Sequence, residues 1–123
     1  MELIKSKFGF KETMDALEDA VKANGLGIVS KIDAQANLKK IGMDIRGNAI
    51  LEVFSPKYAK MLFNANIKAG IEPPLRIYIF DDNDGTHVEY YKPSEIFSKW
   101  NINVLNELDS IFNKIMGVIK VTD

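Results

Sequence analysis

The hydrophobic pattern of the chain switches repeatedly between a period of two and a period near 3.6, the marks of strand and helix. "ELIKSKF" at 2–8 alternates, with Ile4 and Phe8 on one side and Lys5 and Lys7 on the other, and predicts a first strand. Phe10, Met14, Leu17 and Val21 then recur along one helix face. Glu12 and Asp15 lie near the positive end of that helix, Glu18 precedes Lys22 by one turn, and Gly25 ends it. "LGIVSKI" predicts a second strand, and Asp33 follows as the cap of a short helix with Ala34, Leu38 and Ile41 turned inward and Gly42 closing it. "AILEVF" predicts a third strand.

That apolar run stops at Ser55-Pro56. Serine accepts a bond from an unpaired helix N–H, and proline suits the first helical position because its missing N–H is not needed there. A helix is expected from there to about Gly70, with Ala59, Leu62, Asn66 and Ala69 aligned. "EPP" is an extended connector, and "LRIYIFDDNDGTHVEYY" reads as a hairpin around Asp84-Gly85. "KPSEIFSKW" reads as a short helix or turn. "INVLNELDSIFNKIMGVIKV" predicts a long terminal helix, apolar at 104, 108, 111, 115 and 118 and again at 105, 112 and 119. So wide a stripe fits burial against a sheet or a seam between subunits. With no repeat or linker, residues 1–123 are expected to form one domain.

Composition narrows the chemistry. The charged fraction of 27% and hydrophobic fraction of 46% are ordinary for a soluble globular domain. The absence of cysteine excludes disulfides, thiolate chemistry and cysteine-type zinc sites. A net charge of −1, with scattered basic residues, gives no general attraction for nucleic acid or anionic membranes. The amino end lacks the apolar stretch of a signal peptide, and no run has the length of a bilayer span. A cytoplasmic location is the expectation.

Candidate chemistry falls mostly on the hairpin. With a two-residue or a four-residue turn, Arg76, Tyr78 and Phe80 share a face with His87, Glu89 and Tyr91. Leu75, Ile77, Ile79 and Val88 then share the core face; on the third strand Leu51 and Val53 turn in, Glu52 and Phe54 out. An open face so rich in rings and charges is either a half-solvated surface of cross-strand pairs or a ligand groove or subunit contact. His87, the only histidine, sits near the hairpin tip, where a surface strand residue is the plain reading. "DDNDG" does not fit a calcium loop: with Gly85 at the sixth position, Phe80 and Tyr91 would fall at the first and twelfth. No metal site is expected. Ser55 lacks the base and the glycine-flanked elbow of a nucleophile, so capping is its role. The helix start it caps offers free N–H groups beside Lys57, with Arg46 or Arg76 as supplements, and so is a candidate anion site.

Four stretches carry a resemblance: "ETMDALEDAVKANGLGIVSKID", "IDAQANLKKIG", "VFSPKYA" and "PPLRIYIF". On these, covering roughly residues 3–93, the chain resembles the domain-of-unknown-function family numbered 302, a set of small prokaryotic proteins. The resemblance implies a two-layer α+β fold with helices stacked on one face of a curved sheet, and brings no settled biochemical role. Joined to the pattern above, the expectation is a mainly antiparallel sheet of about five strands and a long C-terminal helix. At the strand-to-helix turn the family commonly has a small residue or cysteine, then asparagine, then proline. Here Phe54, Ser55 and Pro56 keep the backbone device and replace the side chains.

The expected function is a small-ligand-binding or protein-interaction domain, homodimeric, with no cofactor, nucleic-acid or membrane partner. A small-molecule or anionic ligand would meet Ser55, Lys57, Arg76, Tyr78, His87, Glu89 and Tyr91. The alternative is a small enzyme with its site on the open sheet face around His87, Glu89 and Arg76; no catalytic residue is assigned. Nucleic-acid binding, suggested by fold analogy alone, is opposed by the acidic balance.

Overall fold

The computed structural model describes residues 1–121. Its alternating elements are β1 (Glu2–Lys5), α1 (Phe10–Ala23), β2 (Gly27–Asp33), α2 (Ala34–Lys39), β3 (Asn48–Phe54) and α3 (Pro56–Ala65). The hairpin β4 (Leu75–Asp82) and β5 (Gly85–Tyr90) follows, then α4 (Pro93–Phe97) and α5 (Leu108–Gly117). The strands form one open sheet in the order β1-β5-β4-β3-β2, every neighbouring pair antiparallel. No helix among the described residues is long and apolar enough to cross a membrane.

Alternation along the strands sorts the sheet into two faces. Leu51 and Val53 of β3, Ile77 and Ile79 of β4 and Val88 of β5 are fully buried. They share one apolar cluster with Leu17 and Val21 of α1, Leu62 of α3, Phe97 of α4 and Phe112, Ile115 and Met116 of α5. The helices therefore cover one face, and the fold is α+β. Most of α5's apolar stripe is spent here: Leu108, Phe112, Ile115 and Ile119 are buried, and the Phe112 ring lies 5.6 Å from that of Tyr90. The buried hydroxyls are paired, Ser6 with Thr13 at 2.6 Å, where the chain enters α1.

Local chemistry moves several boundaries. Asn66 takes up an extended backbone (φ −165°), which ends α3 before Gly70; its side chain accepts the Lys68 N–H, and a 3-10 turn at Ile67–Ile71 carries buried Ala69 onward. The terminal helix begins at Leu108, because Asn101 in the left-handed region (φ 57°) and the turns after it interrupt the stripe. Ile41, expected inward, is 70% exposed, since α2 lies past the edge of the core and buries no residue. Phe54, expected outward, is 7% exposed and joins the core at the point where the chain bends into α3. The hairpin turn is centred on Asn83 and Asp84, with Asp82 facing Gly85, one residue earlier than the dipeptide Asp84-Gly85 suggests. Gly85 takes the positive φ of +128° after the turn, a conformation that side-chain-bearing residues rarely adopt.

Candidate functional site

Antiparallel register sets the open face out as rows of neighbouring side chains. The central row is Leu3, Glu89, Tyr78, Ile50 and Ile32, one from each strand. Beside it Ser30, Glu52 and Arg76 are adjacent. On the other side lie Lys5, His87, Phe80 and Asn48.

Two contacts decide where space is left between the rows. The Tyr78 ring stacks on Phe80 with centroids 4.9 Å apart, and the Asn48 side-chain amide donates to the Tyr78 hydroxyl at 2.7 Å. Both hold Tyr78 toward the Phe80 row and away from Tyr91, which is 58% exposed. The result is a groove of about 300 Å³ lined by Met1, Ile50, Arg76, Tyr78, Glu89 and the two tyrosines Tyr90 and Tyr91. Arg76 and Tyr91 also border a second depression of about 420 Å³, whose far side is made by Glu72, Glu95, Ile96 and Lys99. The two hollows share a wall.

Charges around the groove are unevenly matched. Arg76 Nε lies 3.5 Å from Glu52 Oε2, while Glu52 Oε1 accepts from Ser30 Oγ at 2.6 Å. That hydrogen bond, against a partial opposing pull from burial and with help from Arg76, holds the Glu52 carboxyl below its ordinary 4.5. The Met1 amine pairs with Glu95 at 3.3 Å and Lys99 with Glu72 at 3.6 Å. Glu89 has no such match. The cations on its face are paired with other carboxylates, Lys5 with Asp84 at 3.7 Å and Arg76, through its Nε, with Glu52. Burial, and secondarily the Glu2 carboxylate, pushes the Tyr90 phenol up, in keeping with a ring packed beside Phe112 in the core.

Four of the residues singled out in the sequence meet at the groove: Arg76, Tyr78, Glu89 and Tyr91. His87 shares their face without lining it. Its ring stacks on Phe80 at 5.6 Å, and its Nε2 lies 2.6 Å from Asp84 Oδ1 at the hairpin tip. Ser55 and Lys57 are elsewhere: Ser55 Oγ accepts the Tyr58 N–H at 3.4 Å, and the Lys57 ammonium lies over the Tyr58 ring. In the turn, Asp81 takes the Thr86 hydroxyl, Asn83 takes Arg46 and Asp84 takes His87, so each side chain serves the hairpin. Among the described residues no three acidic, histidine or cysteine side chains are grouped to hold a metal. Sequence reading missed Ile50, Tyr90 and Met1 as lining residues, Tyr90 because its parity puts the ring in the core. Ile50 has the outward parity of Glu52 and could have been found; Met1 depends on the pairing of β1 with β5, which no local signal announces.

The family model "Domain of unknown function DUF302" matches residues 3–121. Among solved structures the chain is similar to an uncharacterized conserved DUF302 protein from Bacillus stearothermophilus. The TM-score is 0.77 at 24% identity, over 96% of this chain and 94% of the other, a likeness that speaks to the fold alone. No curated protein matches the chain.

Proposed function

Since the chain belongs to the DUF302 family of unknown function, its role has to be read from its own residues, and we propose that it binds a small molecule on the open sheet face. The observation that carries this reading is the groove between Tyr78 and Tyr91. Its Tyr78 wall is held by Phe80 and Asn48 from outside it, it is mostly apolar, and it brings only a few charged groups together. Small-molecule sites have this composition. Native mass spectrometry of gently purified protein tests it: a retained small molecule is expected, and Tyr91→Ala should lose it. Protein without any adduct, whose groove amides also stay unmoved across a panel of small amines and acids, overturns the reading.

A second reading, self-association through the same face, is favoured by one observation. Most of the terminal stripe is taken up by the core, with only Val104 and Val118 of it exposed, whereas Leu3 and Val29, each 60% exposed, and Ile32 leave apolar surface toward both edges of the sheet. A second copy laid against this face would cover them. Light scattering coupled to size exclusion measures this directly, and a monomer mass at high concentration overturns the homodimer.

A further inference from the structure

Resting on the groove reading above, we infer that the groove is built for an organic cation, an ammonium group on an apolar body, with Glu89 taking the charge. Glu89 is the only charged residue of the central row, flanked by Leu3 and Tyr78, and the row continues with Ile50 and Ile32. The residue is half-buried, and among the described residues its carboxylate has neither a hydrogen-bond donor nor a cation within pairing distance. A carboxylate beside an apolar row and given no partner favours a cation that arrives with a ligand.

The neighbouring groups select in the same direction. Tyr91, with 58% of its surface exposed, brings a second aromatic ring to the groove beside Tyr78. Aromatic faces attract cations through their negative quadrupole. An anion would fare worse. Arg76 keeps only its Nε on Glu52, but an anion drawn to the rest of the guanidinium would share about 300 Å³ with the Glu89 carboxylate. The apolar part of the ligand would rest on Ile50 and the Met1 side chain, which line the same hollow.

The test uses two probes with similar ring bodies and opposite charge, phenethylammonium chloride and sodium phenylacetate, titrated separately into the isotope-labelled full chain. Phenethylammonium is expected to give saturable amide shifts at Tyr78, Glu89 and Tyr91, and to bind about tenfold more tightly than phenylacetate, the scale of one charge-assisted contact. Glu89→Gln should erase that difference while leaving the rest of the spectrum in place, because the carboxylate makes no bond within the fold. Glu89→Asp, which keeps the charge, should retain the preference and serves if the glutamine variant folds poorly. Phenylacetate binding at these residues as well as or better than phenethylammonium, or a preference unchanged in Glu89→Gln, overturns the cation and leaves the groove standing. If neither probe moves these residues, the cation inference is overturned, and the groove falls with it once the wider panel is also silent and no adduct is retained.

Discussion

Gly47 shows how little room a single position can have. A Cβ placed there would lie 2.5 Å from the Phe10 ring and 2.7 Å from Asp81 Oδ2, while the Gly47 carbonyl accepts the Asp81 N–H at 2.8 Å. Gly47→Ala must push the Phe10 ring off its seat against the core, so denaturant unfolding should report a loss of about 1–3 kcal/mol. Glu52 offers a different handle. Its folded pKa is lowered by the Ser30 hydroxyl and Arg76, so its contribution is present above the unfolded value and lost as pH falls through the folded one. Melting curves between neutral pH and the acid range below 4.5 should therefore converge for the wild type and Glu52→Gln as pH drops, with the wild type more stable only at the higher end.

The join of β3 to α3 works as its local chemistry dictates: Ser55 caps, Pro56 opens, and Leu62 reaches the core. Because the Ser55 Oγ to Tyr58 N separation is a long 3.4 Å, Ser55→Ala should cost only about 0.5–1 kcal/mol, near the lower end for a cap. Denaturant midpoints check this. Such short-range devices are written in neighbouring residues and can be read from them. The hairpin faces could be read for another reason. A turn displaced by one residue in each strand keeps Tyr78 beside an odd-numbered partner, so side-chain parity survives although the turn centre lies at Asn83 and Asp84. Where the reading failed, distant contacts decide. Ile41 follows the helical period and yet meets solvent, because nothing packs over α2; Phe54 obeys the strand period and is buried by the bend that follows it. The α5 stripe continues upstream through Ile102 and Leu105, both buried, although the backbone between them and Leu108 is turn rather than helix. Along that segment the apolar spacing marks most of the buried side chains, while the backbone that takes them inside is settled by tertiary packing.

One sheet with helices on a single face divides the whole molecule into residues that hold it together and residues that are free for other work. Ile77, sealed beneath the helices, belongs to the first group. Truncating it removes apolar contacts and leaves a cavity, so Ile77→Ala should lose about 2–5 kcal/mol. Glu89 and Tyr91 lie on the other side of the same strands. Glu89 has no partner among the described residues, and Tyr91 keeps 58% of its surface in water. Glu89→Gln and Tyr91→Ala should each change stability by no more than about 0.5 kcal/mol, the usual range for surface substitutions. The contrast is the informative quantity. If thermal or denaturant unfolding shows Tyr91→Ala to be as damaging as Ile77→Ala, the tyrosine is part of the scaffold and the open face has no residues to spare for a ligand. If the two effects separate as expected, any loss of binding in the groove variants can be assigned to the groove itself rather than to a failing fold.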